Sequence, residues 1–497
     1  METPADLAGL IQFAPESATA LLIPETGTRV TYGSLRQQVY AMAGKFSGFG
    51  IGRKDRVAIT TPNGAPAVVS FLAASLAGTA APLNPNYRYD EFKFFLEDTA
   101  ARILVTTPDG SPEARRAAVE AGIPVVEIVE EAPGRFAVIE GETAPLALLD
   151  PEDIALVLHT SGSTGRPKRV PISHRNLGVS ARNICDTYEL SGSDVTLCVM
   201  PLFHVHGLVA STLSTLLSGG TVVVPAKFNP LSFWRTVREQ KVTWYSAVPT
   251  IHQLAMARAG ATKPAGLEAL RFVRSCSSAL PVDLGRRIEA LLEVPVLEAY
   301  GMTEAAHQMA SNPLPPNERK LGSVGPGTGV SIGIIDESGN HLPNGQTGQV
   351  VIQGANVVRE YESNPEATAA SFVGGWFRTG DQGVLDENGY LRITGRLKEM
   401  INRGGEKISP VEIDELLLLH PNVAEAVTFG VAHPSWGEEV AAAVVLRESC
   451  TESEIIAWCK DRISEFKAPK KIYVVEAIPR TATGKIQRMN VAKALVE

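Results

Sequence analysis

Cysteine is scarce in this chain: Cys185, Cys198, Cys276, Cys450 and Cys459 are the only five among 497 residues, widely spaced, with no CxxC pair. That excludes a disulfide framework and a cysteine-based zinc site, and it suits a reducing compartment. Long apolar runs are also lacking. Residues 68–81, the most apolar early stretch, are interrupted by Ser70, Ser75, Gly78 and Thr79; they are too short to span a bilayer and predict a core helix. Positive charge is in deficit, with a net charge of −8, so neither nucleic acid nor an anionic membrane is the expected main partner. The opening residues Met1-Glu2-Thr3-Pro4 carry no basic and apolar secretory pattern, and the closing Ala494-Leu495-Val496-Glu497 is no peroxisomal address, which makes the cytoplasm the expected location. Internal repeats and low-complexity tracts are absent as well.

What is present is a globular composition, 44% hydrophobic and 20% charged, in a chain too long for one ordinary core. Short apolar runs at residues 56–60, 103–106, 124–128, 195–200, 221–225 and 270–275 alternate with helix-like segments such as 231–240 and 281–292. This βαβα rhythm predicts an α/β fold with mainly parallel sheets flanked by helices. From about Gly329 short strands with Asp, Asn and Gly turns predict a smaller β-rich portion. The charged, glycine-containing run from Gly395 to Lys407 then places a boundary near Lys398, ahead of a mixed α and β segment in which 410–419 reads as helix and 424–430 as strand.

The most informative stretch is Thr160-Ser161-Gly162-Ser163-Thr164-Gly165-Arg166-Pro167-Lys168, which follows the apolar run 154–159. Small residues let backbone N–H groups converge on an anion, the hydroxyls add donors and Lys168 adds charge, so the loop reads as a phosphate cradle. It is not a Walker A loop, because Arg169 follows Lys168 where a magnesium-holding Ser or Thr would stand. The bland alternative is a flexible Ser/Gly linker.

Four further motifs accompany it. Tyr300-Gly301-Met302-Thr303-Glu304 joins a ring that can stack on a base, a hydroxyl that can donate to phosphate and a carboxylate that can hold magnesium; alone, it is equally a turn after a strand. Trp376-Phe377-Arg378-Thr379-Gly380-Asp381 places an acid after a tight turn, where it could accept two ribose hydroxyls, or simply close a hairpin. His204 and His206, at i and i+2 in Pro201-Leu202-Phe203-His204-Val205-His206-Gly207, lack a third ligand of zinc spacing. Lys485 ends the polar loop Arg480-Thr481-Ala482-Thr483-Gly484-Lys485, and alone it reads as a solvated lysine.

In this order and at these separations, the five motifs resemble the acyl-adenylate-forming superfamily, which includes acyl-CoA synthetases, peptide-synthetase adenylation domains and firefly luciferase. The resemblance spans essentially the whole chain. It implies an N-terminal ATP- and acyl-binding domain over 1–395, a hinge at 396–400 and a small, mobile α+β lid domain over 401–497. It further implies that a carboxylate attacks ATP to give acyl-AMP and pyrophosphate, after which the thiol of CoA displaces AMP. On that basis the 160–168 loop holds the β- and γ-phosphates. Thr303 contacts the α-phosphate, Glu304 holds Mg2+ with Thr164 beside it, and Tyr300, with Gly301, lies on one face of adenine. Ser277, Ser278 and Ala279 line the other face, and Asp381 and Arg396 bind ribose. Lys485 is the catalytic lysine, Lys398 the hinge, and Gly404 and Gly405 leave room for the pantetheine arm. ATP and CoA are co-substrates, and a monomer or homodimer is expected.

The acid is read from departures. Where coumarate ligases carry an aromatic residue two after the Phe-His histidine, this chain has His206; after Thr303-Glu304 come Ala305-Ala306-His307. Polar groups lining an acyl pocket cost stability unless a polar substrate satisfies them, so a small acid with a second anionic or polar group is expected. Residues 201–208, 243–253, 271–277, 297–307 and 402–410 resemble oxalate–CoA ligases. That likeness puts His307 on the distal carboxylate, with His204, His206, Ser277 and Arg274 nearby. The alternatives are another short acid such as malonate, glyoxylate or glycolate, a medium-chain acid and, remotely, a luciferase-like oxygenase.

Overall fold

The structure is a computed structural model that describes residues 7–160, 167–480 and 486–496. Two mainly parallel sheets form the large N-terminal part. One has seven strands in the spatial order Arg135–Val138, Val125–Ala132, Ala101–Thr106, Arg56–Ile59, Thr79–Pro82, Ile154–Thr160 and Lys168–Ser173. The other has eight: His307–Ser311, Val296–Met302, Phe272–Ser275, Trp244–Ala247, Val195–Cys198, Thr221–Val223, Thr19–Ile23 and Thr28–Thr31. In each sheet the inner strands run parallel and the outermost strand on either side is antiparallel. The central strands, such as Arg56–Ile59, Thr79–Pro82, Trp244–Ala247 and Phe272–Ser275, are short and buried almost throughout, as parallel strands covered by helices must be.

The helix Ala65–Ala77 touches strands of both sheets and is buried at every residue but Pro66. A helix apolar on all sides belongs in a core. Sequence reading extended this helix to residue 81, but it stops at Ala77, and Thr79–Pro82 is an inner strand. The break lies at Gly78, where a Cβ would stand 2.5 Å from the Asp55 carbonyl and 2.7 Å from that of Gly52. Backbone therefore occupies the space a side chain needs.

From Ser331 onward an antiparallel sheet follows, built from Ser331–Ile335, Thr347–Gln353, Phe372–Val373, Trp376–Leu385 and Leu391–Arg396. After the single 3-10 turn Leu397–Glu399, a further sheet begins, with Ile401–Arg403, Glu406–Ile408, Val423–His433, Gly437–Leu446 and the parallel strand Lys471–Val474. This smaller C-terminal domain closes cores of its own around Ile413, Val440 and Ile455 on one face and Phe429, Ile478 and Val491 on the other. Arg488 joins the turn to this sheet: it reaches Glu399 at 3.0 Å, Asp414 at 2.6 Å and the Thr428 carbonyl at 3.0 Å. The fold class is the mixed α/β arrangement expected. Among the described residues no helix is long and apolar enough to cross a membrane.

Substituting Gly78→Ala should lower stability by about 1–3 kcal/mol, because the backbone must shift to admit one methyl group. Urea unfolding followed by circular dichroism measures this, and an unchanged midpoint would contradict the packing described.

Candidate active site

The run 154–159 is a strand, but the loop after it does not lead into a helix. Ile154–Thr160 and Lys168–Ser173 pair antiparallel, with Thr160 opposite Lys168. Ser161, Gly162, Ser163, Thr164 and Gly165 lie outside the described residues, as does Lys485. The two stems of the loop, Thr160 and Lys168 with their neighbours, are tied down on both sides. His159 meets Asp98 at 3.0 Å, and Arg169 donates to the Asp98 carbonyl and faces Glu362 at 3.5 Å. Arg56 pairs with the same Glu362, whose N–H donates to the Arg169 carbonyl at 3.1 Å. Burying these charges is tolerable because each is paired.

Glu304, 5% exposed, stands on the 3-10 turn Thr303–Ala305 beside these stems. Its Oε1 accepts from the Tyr361 hydroxyl at 2.8 Å and from Thr160 Oγ1 at 3.5 Å. The Lys168 ammonium lies 4.3 Å from the centre of the Tyr361 ring, and burial pulls its pKa below the usual lysine value while Glu304 opposes that shift. No group of three or more His, Cys, Asp or Glu side chains forms a metal cage among the described residues. One carboxylate with neighbouring hydroxyls is what magnesium needs when most of its ligands are phosphate oxygens and water. The donor set therefore fits Mg2+ that arrives with a nucleotide.

Tyr300, Asp381 and Arg396 form a second cluster. Tyr300 and Gly301 are not in a turn, since the strand Val296–Met302 runs through them. Asp381 likewise does not follow a hairpin turn but sits within the ten-residue strand Trp376–Leu385. Gly380, with φ of +75°, accommodates the irregularity there. Asp381 and Arg396 are direct partners across adjacent strands, with Arg396 Nε 3.1 Å from Oδ1, and the Tyr300 hydroxyl donates to Oδ2. Burial and the Asp381 charge hold the Tyr300 hydroxyl well above its ordinary pKa, so it stays a donor. Gly301 serves packing: a Cβ there would stand 2.2 Å from the His307 carbonyl oxygen. Ser278 and Ala279 are exposed, and Ser277 is half-buried at φ of +74°.

A different set of polar groups gathers around His307, which follows the Thr303–Ala305 turn. His206 opens a wide, π-helical stretch, His206–Leu213, of the kind often found at functional sites. Its ring is 3% exposed, with Nδ1 2.9 Å from Ser277 Oγ, Nε2 2.7 Å from Ser246 Oγ and its centre 5.2 Å from that of His307. His307 is 2% exposed at φ of +115°, next to Ala306 at +48°. This strained pair is clamped by the buried Asn356 amide, which donates to the Ala305 carbonyl at 2.8 Å and the Gln308 carbonyl at 3.1 Å. His204 is half-buried against Phe203. Arg274, expected beside the substrate, is fully enclosed. It donates to the Tyr188 hydroxyl at 2.7 Å, Ser246 at 2.8 Å and Gln308 at 2.9 Å, so it stands one layer behind the pocket wall.

Gly404 and Gly405, with φ of +61° and +95°, make the two-residue turn between Ile401–Arg403 and Glu406–Ile408. A Cβ on Gly404 would meet the Trp436 ring at 2.9 Å, whereas one on Gly405 would meet nothing within 4 Å. Lys398 lies on the Leu397–Glu399 turn, close enough to Lys168 to lower the latter's pKa.

Sequence reasoning missed Ser246, Tyr188, Gln308, Tyr361, Glu362 and Asn356. Ser246 lies inside the noted segment 243–253 and Gln308 directly follows 297–307, but nothing in their spacing marks them; the sheet brings them together.

The chain matches the model of the AMP-binding enzyme family over residues 12–362 and that of the AMP-binding enzyme C-terminal domain over residues 412–485. It is 43% identical to an oxalate–CoA ligase of Arabidopsis thaliana, with 94% of each chain covered, and 42% identical to one of Saccharomyces cerevisiae, covering 98% of this chain and 96% of that one. A sulfoacetate–CoA ligase of Cupriavidus necator is 36% identical over 94% of this chain and 93% of its own. The crystal structure of ATP-bound MatB from Rhodopseudomonas palustris superposes with a TM-score of 0.91 at 30% identity, covering 99% of this chain and 98% of that one. With matching models over both its parts and relatives of this identity along nearly its whole length, the chain belongs to the AMP-binding enzyme family, as an AMP-forming acid–thiol ligase.

Proposed function

We propose that the acid is oxalate, activated as oxalyl-AMP and transferred to CoA. The observation that carries this reading is the small polar pocket wall of His206, Ser277 and His307 beside the Thr303–Ala305 turn. An apolar acyl chain would have to pack against these polar side chains at a desolvation cost, whereas a second carboxylate gives the Ser277 hydroxyl an acceptor. The two oxalate–CoA ligases of similar sequence support the same acid, and the sulfoacetate–CoA ligase supports the broader class of small acids with a second anionic group.

The roles then divide along the site. The 160–168 loop, Ser161 to Gly165 included, cradles the terminal phosphates, and Lys168 beside Tyr361 adds positive charge at its stem. Asp381, already aligned by Tyr300 and Arg396, accepts the ribose hydroxyls, and Ser278 and Ala279 border the adenine opposite Tyr300. Glu304 and Thr164 hold Mg2+, which supplies charge neutralisation to the phosphates. One carboxylate of the acid attacks the α-phosphorus, with Thr303 donating to a non-bridging oxygen and Lys485 countering the negative charge as it builds. His204 closes the pocket at the junction of acid and phosphate. The domain division is 1–395 and 401–497, with rotation at Lys398 in the 396–400 hinge. That rotation withdraws Lys485 and brings up the Gly404-Gly405 turn, past which the CoA thiol attacks the acyl carbonyl and displaces AMP.

Wild-type protein should release pyrophosphate from Mg-ATP with oxalate and yield oxalyl-CoA on addition of CoA; release with another short acid but not with oxalate would overturn the substrate and leave the reaction type. Lys485→Ala should abolish pyrophosphate release while leaving thioester formation from supplied acyl-AMP largely intact, and equal loss of both half-reactions would refute the division of labour. His307→Ala should lower kcat/KM for oxalate about ten- to a hundredfold, the worth of one charge-assisted hydrogen bond of roughly 1.5–3 kcal/mol. Full oxalate activity in that variant would remove His307 from the pocket.

A further inference from the structure

Behind the pocket wall lies a cation with no anion. Arg274 is wholly enclosed, and its partners are the Tyr188 hydroxyl, the Ser246 hydroxyl, the Gln308 amide oxygen and the Cys276 thiol, none of them a carboxylate. Among the described residues no carboxylate pairs with it. An enclosed guanidinium without a counter-charge is costly.

The hydrogen bonds leading away from it run in one direction. A guanidinium can only donate, so Ser246 Oγ accepts from Arg274 Nη1 at 2.8 Å. Ser246 is itself 0% exposed, and its hydroxyl proton needs an acceptor; its other partner among the described residues is His206 Nε2 at 2.7 Å. Nε2 therefore accepts, which places the imidazole proton on Nδ1. That N–H points at Ser277 Oγ, 2.9 Å away, so Ser277 accepts from His206 and keeps its own O–H for an acceptor outside the network. Tyr188 and Gln308 hold the guanidinium from behind, and Gln308 is held in turn by Thr187 and Thr328, each at 3.2 Å.

We propose that Arg274 and Ser246 are positioning residues for substrate choice: the donor chain Arg274→Ser246→His206→Ser277 polarises the Ser277 hydroxyl toward the distal anionic group of the acid, whose charge is the missing counter-ion. The proposal rests on the reading of His206 and Ser277 as the acid's pocket. It explains selectivity for a second negative charge by residues that never touch the substrate. A neutral isostere such as an amide gains the contact but not the charge compensation.

The test compares oxalate with oxamate, in which the distal carboxylate is an amide, through the ratio of their kcat/KM values. In Ser246→Ala the ratio should fall about tenfold from wild type, because Arg274 is cut off from His206 while its other partners remain. Ser246→Thr, which restores the hydroxyl, should recover most of it. A ratio unchanged in Ser246→Ala, or equal loss on both acids, would mean a merely structural role and overturn the proposal. Should Ser246→Ala fail to fold, Ser246→Cys, a weak donor of similar volume, carries the same comparison. If the wild-type enzyme ignores oxalate but takes malonate, the substrate reading fails alone, and malonate against its monoamide then decides the relay by the same criterion.

Discussion

One close backbone approach governs the site. At Gly301 the strand Val296–Met302 comes so near the His307 carbonyl that no side chain could stand between them. The turn between the two strands is thereby forced tight, through two non-glycine residues at positive φ held by Asn356. Its consequence is spatial. Tyr300 and Glu304 reach Asp381 and Tyr361, while His307 meets His206. Groups suited to a nucleotide and groups suited to a small acid are thus carried on one short, braced segment. A reaction that joins a carboxylate to the α-phosphate needs that proximity, since fixed geometry removes much of the entropic cost of bringing the two together.

The charge distribution follows the same division. Around the loop stems, cations and carboxylates pair off: Arg56 and Arg169 with Glu362, His159 with Asp98, Arg396 with Asp381. These pairs fix the frame on which phosphates would sit. Behind the acid pocket the pattern breaks, for Arg274 is enclosed among neutral partners. In the proposed relay, the charge of the acid's distal group balances it.

Much of this was legible in the sequence, and the limits have physical causes. Motifs that carry chemistry within a few residues, such as Tyr300 to Glu304 and the loop after strand Ile154–Thr160, could be read directly. So could the apolar runs that became inner strands. Local pattern misjudged the helix at 65–77, because the buried strand Thr79–Pro82 is as apolar as the helix before it and only Gly78 marks the change. It placed Asp381 after a tight turn and left a turn open for Tyr300, whereas both lie within strands, where the neighbouring glycines serve an irregularity and a close approach. Arg274 could be placed near the pocket but not behind it. Burial depth and the partners Ser246, Tyr188 and Gln308 come from strands and helices far apart in sequence, and no spacing rule records such meetings.

The central claim is that this pocket is built for a small acid with a second negative charge. Its most direct measurement is kcat/KM for AMP formation, with Mg-ATP and CoA, across oxalate, malonate, glyoxylate, glycolate, acetate and coumarate. The account predicts the highest value for oxalate, at least about tenfold above any monocarboxylate, as expected for one charge-assisted hydrogen bond. Acetate or coumarate turning over as well as oxalate would contradict it.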